Sequence, residues 1–189
     1  MARAAAAALL ALPALALVWR AAFGDLGANP VETVTHETGS WAIRLLLATL
    51  AVTPLRQWTG QRRLGPWRRR LGLAAFAYAS LHVATWLALD HAFDWAAMLE
   101  DVAERPYVTA GAAAFVCLVP LAATSTRRAV RRLGRRWVML HRLVYVAAAA
   151  AVVHHLWLVK ADLRTPLIEA GVLALLLGAR VAHRWRRAP

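Results

Sequence analysis

The apolar residues of this chain gather in long blocks separated by short charged connections. Crossing a hydrocarbon core of roughly 30 Å takes about 20 mostly apolar residues, each rising about 1.5 Å along a helix. Six blocks meet that length, some with tilt or with interfacial residues at their ends: 4–23, 38–55, 71–89, 107–124, 138–159 and 166–182. The pattern therefore predicts an all-α integral membrane protein with six transmembrane helices. The second block is the weakest, with Arg44 near one end, where its head can snorkel to the interface, and Pro54 near the other. The first block is Ala/Leu-rich behind Arg3 and resembles a signal peptide, with small residues at Ala14 and Ala16. Trp19, Arg20 and Phe23 extend it like an interfacial end. Residues 1–23 are accordingly read as a retained, signal-anchor-like first helix and 24–189 as the domain that follows.

Charge then orients the helices. The second-to-third connection carries Arg62, Arg63, Arg68, Arg69 and Arg70, and the fourth-to-fifth carries Arg127, Arg128, Arg131, Arg132, Arg135 and Arg136. The C-terminal tail adds Arg184, Arg186 and Arg187. The alternate loops hold Asp25, Glu32, Glu37, Asp90, Asp94, Glu100, Asp101, Glu104 and Asp162 against Arg105, Lys160 and Arg164. Cytoplasmic loops collect Lys and Arg, so the basic loops and both termini are expected in the cytosol. This split also accounts for the net charge of +13, which in a soluble protein would suggest nucleic acid. Each Arg run is short and sits beside a helix end at the level of anionic headgroups, so no nucleic-acid partner is expected. No phosphate-cradling glycine loop is present. The single cysteine, Cys117, excludes a disulfide framework, a cysteine-rich zinc site and an iron–sulfur cluster.

The chemistry lies in the histidines. His36 and His91 fall in acidic loops and His183 in the basic tail, whereas His82, His141, His154 and His155 lie inside predicted spans. Ionisable residues within a span are costly and usually functional. No Asp or Glu shares those two spans, so a carboxylate–histidine proton relay is not evident; Glu169, near the outer end of the sixth span, is the one acidic residue inside any. Neutral imidazole is the standard axial ligand of haem iron, and a helical bundle is a common place for a haem. His82 lies 8 residues before Asp90 and His154 lies 6 before Lys160, which puts the two at similar depth. They can share one iron in the outer half. His141 is 19 residues from Lys160 and belongs near the inner face. Its separation from His154 or His155 suits two haems stacked across a bilayer, but positions 68 and 69, which would supply the partner ligand, are arginines. Three roles stay open to His141: a second cofactor bound alone, a quinone contact, or a hydrogen bond within the core. By helical phase His155 shares the His141 face better than His154 does. Phe76, Tyr78, Trp86, Tyr145 and Trp157 are candidate pocket aromatics, and the runs Ala110 to Ala114 and Ala147 to Ala151 allow close helix approach or room for a flat ring.

Several stretches carry a family likeness: GANPVETVTHETG at 27–39, LLLATLAVTPLR at 45–56, RRLGLAAFAYASLH ending at His82, ERPYVTAG at 104–111, ATSTRRAVRRLGRRWVMLHRLVY at 123–145 and HHLWLVK at 154–160. Together they resemble MsrQ (formerly YedZ), the haem-binding membrane subunits of protein-methionine-sulfoxide reductase systems, within the ferric reductase-like transmembrane group. The resemblance implies a cytochrome of the bacterial inner membrane that carries electrons from the quinone pool through haem b. The receiver it implies is MsrP, a periplasmic molybdopterin enzyme that repairs oxidised proteins. It implies FMN as a further cofactor, without residues that can be placed here. The family's haem-linked histidines fall on His82, His141 and His154; the doubled His154–His155 departs from the family pattern. The acidic outer loops are the expected docking surface for the partner. Two rival readings are a ferric-chelate or oxygen reductase subunit working with a separate flavin reductase, and a haem-free structural subunit.

Overall fold

A computed structural model of the chain describes residues 2–185; Arg186 and Arg187 of the basic tail lie outside the described residues. All regular structure among them is helical: α1 (Ala2–Ala22), α2 (Pro30–Thr59), α3 (Gly65–Thr85), α4 (Trp95–Glu104), α5 (Pro106–Ala123), α6 (Arg127–Leu133), α7 (Arg135–Leu140), α8 (Leu143–Leu158) and α9 (Arg164–Trp185). Six stretches are long and apolar enough to span a bilayer, in the six places the sequence predicts. The chain is a multi-pass membrane protein.

The predicted weakest span is the centre of the bundle. Half of the most apolar stretch of α2 is buried, against 6–22 % in the other five spans. A helix surrounded by protein need not be uniformly apolar, because its polar side chains find partners inside. Thr38 and Thr49 return their hydroxyls to the Val34 and Leu45 carbonyls, each at 2.8 Å. The ends of α2 are equally defined. Asn29 accepts from the Glu32 amide and donates to its carboxylate, Pro30 occupies the first turn, and Gly60 closes the helix at φ 68°. Arg44 is not near an end, as the sequence pattern suggested. It lies fourteen residues from Pro30 and fifteen from Thr59, at the middle of the helix, with its guanidinium 5.3 Å above the Trp41 ring.

Small residues let the helices close up. Ala75 of α3 and Ala147 and Ala148 of α8 are buried at 0–1 % exposure, within a core that includes Leu46 and Leu50 of α2 and Leu118 and Leu121 of α5. The Arg-rich connections meet at one end of this bundle: the Arg69 guanidinium donates to the Ser125 carbonyl at 2.6 Å, and Trp137 Nε1 donates to Thr124 at 3.0 Å. Arg180 of α9 caps the interior there, bonding the Leu176 and Leu50 carbonyls beside the Tyr145 ring.

Helix α1 is tied to α3 by one side chain. The Tyr78 hydroxyl accepts from the Ala14 amide and donates to the Leu10 carbonyl, both at 3.0 Å, in the turn where Pro13 interrupts the ladder. Tyr78→Phe removes both bonds and is expected to lower stability by about 1 kcal/mol, read by SDS unfolding in mixed micelles. The fifth predicted span is also divided: α7 ends at Leu140, with His141 as its cap, and α8 begins at Leu143. The acidic connection after α3 carries structure that hydropathy did not signal. The backbone widens into a π-helical turn at Trp86–Asp90, takes positive φ at Ala92 and Phe93, and enters α4 under the cap of Asp94.

Candidate functional site

The site follows from how two helix pairs hold one histidine each. His82, on the last turn of α3, puts Nδ1 2.9 Å from the Thr35 carbonyl of α2. His154, on α8, puts Nδ1 2.6 Å from the Tyr107 carbonyl of α5. A carbonyl only accepts, so in each ring Nδ1 carries the hydrogen and Nε2 keeps its lone pair for a ligand. The two rings face each other with centroids 6.0 Å apart and planes at 72°. Two imidazoles on opposite sides of one metal ion require roughly this separation, since each metal–nitrogen bond is about 2 Å and each ring adds roughly 1 Å to its centroid.

Glycine makes room on both sides. Gly39 lies one turn beyond Thr35, and a Cβ there would stand 3.0 Å from His82 Nδ1. Gly111 lies one turn beyond Tyr107, and a Cβ there would stand 2.8 Å from His154 Nδ1. The same device therefore appears twice: a carbonyl that orients the ring, and a glycine four residues later that lets it lie against the helix. Sequence reasoning missed both glycines. The signal was present in ERPYVTAG and in THETG, but only the histidine partners give the spacing a meaning.

Between the rings and around them is a cavity of about 700 Å³, within the usual range for cofactor sites. It is largely apolar, with Ile43, Trp86, Val108, Phe115 and Ala151 among its walls, and at the acidic end its lining includes Asp90 and His91. There Asp101 ties His91 at 3.1 Å to Arg105 at 3.2 Å. Among the described residues no group of three or more His, Cys, Asp and Glu could hold a bare ion. Two facing imidazoles in an apolar slot would suit an iron whose remaining ligands come from a porphyrin.

The other sequence candidates separate from this pair. His141 does not line the cavity. It stacks on Trp137 at 3.8 Å, its Nδ1 meets the Trp137 carbonyl at 3.1 Å, and its buried Nε2 makes no hydrogen bond, although the Leu121 carbonyl is close to the ring. His155 turns towards α9, where its Nδ1 meets Glu169 at 2.6 Å. A buried carboxylate–histidine pair thus exists, contrary to the reading of single spans, because the carboxylate comes from the neighbouring helix. Of the five candidate pocket aromatics only Trp86 lines the cavity. Phe76 stacks on Phe115, Tyr78 serves α1, Tyr145 lies under Arg180, and Trp157 is exposed.

Comparison with known proteins agrees with this architecture. The family described as ferric reductase like transmembrane component matches residues 38–152, which include α3, α5 and the part of α8 up to just before His154. A protein of Xanthomonas axonopodis pv. citri, named protein-methionine-sulfoxide reductase heme-binding subunit MsrQ, is 51% identical over 170 residues, 90% of this chain and 77% of its own length. Proteins of the same name from Xanthomonas campestris pv. campestris and Bordetella parapertussis are 54% and 51% identical, covering 86% and 93% of this chain and 73% and 86% of theirs. No solved structure matches the chain. With half its residues shared across most of both lengths, the chain belongs to the ferric reductase-like transmembrane family and, within it, to the MsrQ subunits.

Proposed function

We propose that this protein is a cytochrome b of the bacterial inner membrane, passing electrons from the quinone pool to a periplasmic molybdopterin methionine-sulfoxide reductase of the MsrP type. The observation that carries the reading is the facing pair His82 and His154, with both Nδ1 atoms occupied by carbonyls and both rings at ligand separation. Bound there, haem b supplies a one-electron couple; the chain fixes ring orientation, excludes water and sets the dielectric. A carbonyl partner, unlike a carboxylate, brings no charge of its own into the apolar slot. His141 is assigned to the inner half as the candidate residue for a second cofactor; its Nε2 is buried and makes no hydrogen bond. FMN enters the reading through the family likeness, and no residue is assigned to it. Both termini and the Arg-rich end face the cytosol in this reading, with residues 1–23 retained, which puts the cavity, lined by Asp90, His91 and Asp101, at the periplasmic end.

A reduced-minus-oxidised spectrum of the purified protein, with a pyridine haemochrome assay, tests it. A low-spin b-type spectrum with one haem per chain is expected. A value near two makes His141 a ligand as well, and protein that stays colourless after haem is added overturns the reading.

The acidic end is proposed as the docking surface. Asp94 and Asp101 are committed within the fold, as the cap of α4 and the partner of His91 and Arg105, whereas Glu100 and Glu104 are exposed. Glu100→Lys with Glu104→Lys is expected to slow electron delivery to the partner about tenfold at low salt with unchanged haem content. An unchanged rate removes this surface.

A further inference from the structure

The electron-carrying site leaves one pair of charged residues without an explanation. Arg44 and Glu169 line a second hollow, an open groove of about 350 Å³ between α2 and α9, whose other walls include Ala48, Ala51, Ile168 and Val172. Glu169 is 5 % exposed, and the oxygen not bonded to His155, Oε1, is buried with no partner. An unsatisfied carboxylate oxygen inside a membrane bundle is expensive. Arg44 is exposed at the middle of α2 and forms no ion pair with Glu169. An arginine exposed at the middle of a membrane-spanning helix is also costly. The groove thus offers one acceptor and one cationic donor on apolar walls.

We propose that this groove binds a hydroquinone headgroup, the Glu169 carboxylate turning to bring its buried, unpartnered Oε1 to one phenolic O–H while the ring's other oxygen accepts from Arg44. The ligand must be lipid-soluble to reach an opening between two spans, flat or small to lie against Ala48 and Ala51, and both a donor and an acceptor. A phospholipid phosphate satisfies Arg44 but only accepts, which leaves it facing the Glu169 carboxylate like charge to like charge. A hydroquinone meets both demands. The location adds a second argument. Glu169 Oε2 bonds His155, and His155 lines the histidine cavity, so a single hydrogen-bonded pair joins the groove to the cavity. The proposal deepens the reading of the protein as an electron carrier by naming the entry site, and rests on that reading for its role but not for its chemistry. Oxidation of one hydroquinone to quinone would release two electrons, passed singly to haem in two successive transfers with reoxidation by the partner between them, and two protons, taken in turn by Glu169 and released to water.

Two readouts on the full-length protein in nanodiscs separate the claims. One is photolabelling with an azido-ubiquinone, mapped by peptide mass spectrometry. The other is haem reduction by decylubiquinol in stopped flow. Labels are expected within 44–51 or 165–172. Ala48→Trp fills the groove and is expected to cut both labelling and reduction rate about tenfold, the loss of one good polar contact or more. Haem content and the dithionite-reduced spectrum should stay at wild-type values. Glu169→Gln turns an amide N–H towards the groove. It should raise the KM for decylubiquinol about tenfold while labelling by the oxidised azidoquinone, which only accepts, persists. Labels confined to other segments, or a wild-type rate in both variants, overturn the proposal. Loss of co-purified phospholipid in Ala48→Trp with quinone labelling intact also overturns it and makes the groove a lipid seat. A colourless protein that still labels at the groove refutes electron transfer through haem but keeps the site.

Discussion

Purified His82→Ala is expected to lose most of its haem, and His154→Ala to lose it equally, whereas His155→Ala should remain coloured. A non-covalent haem in a membrane slot is held by its two axial bonds and by burial of the ring, and removal of either imidazole opens one face of the iron. The geometry discriminates the adjacent histidines: His154 meets His82 across 6.0 Å, while His155 is bonded away to Glu169. Haem-to-protein ratios from the haemochrome assay decide the matter. We expect below about a tenth of wild-type occupancy in the first two variants, equivalent to at least roughly 1.4 kcal/mol. Full occupancy in His82→Ala would show that the pair does not ligate iron.

The second large effect is steric and arises where no ligand changes. Gly111→Ala places a methyl group 2.8 Å from His154 Nδ1, closer than carbon and nitrogen tolerate. Both α5 and the ring are packed, so the ring must tilt, lengthening its 2.6 Å bond to Tyr107 and turning it from its place opposite His82. Loss of such an orienting contact typically costs 10–100-fold in metal affinity, and we expect about that range in haem titrations of the apo-protein. The visible spectrum should acquire a high-spin fraction as one axial bond weakens. Gly39→Ala meets His82 at 3.0 Å and should follow with a smaller loss. Gly171→Ala, where no atom lies within 4 Å, serves as the control and should change nothing. Equal haem affinity in Gly111→Ala and Gly171→Ala would show that the ring is not held as described.

These glycines mark the boundary of what the sequence discloses. Span positions are legible because burial in hydrocarbon demands an unbroken apolar length, a property of each segment alone. The depth of His82 and His154 is legible too, since helical rise converts residue number into height. Rotation about the helix axis is not. It depends on which neighbour a face meets, and so Phe76, Tyr78, Tyr145 and Trp157 turned out to serve contacts outside the cavity. The same gap hid the partnership of His155 with Glu169, residues on separate helices whose alignment no periodicity records. Helix α2 illustrates the opposite error. Its arginine and hydroxyls depress an average taken over the segment, yet that mixed character suits the most enclosed helix of the bundle.

The bond between Tyr78 and the first helix has a consequence for biogenesis. While α1 is made and α3 is not, the turn of α1 from Leu10 to Ala14, which holds Pro13, lacks its contact to a neighbouring helix. The hydroxyl that bridges Ala14 and Leu10 arrives more than sixty residues afterwards, on α3. This contact of α1 is therefore complete only after the helix bearing His82 has inserted. Docking of α1 then reports that α3 has reached its place, and loss of α1 would leave the Tyr78 hydroxyl facing lipid without a partner.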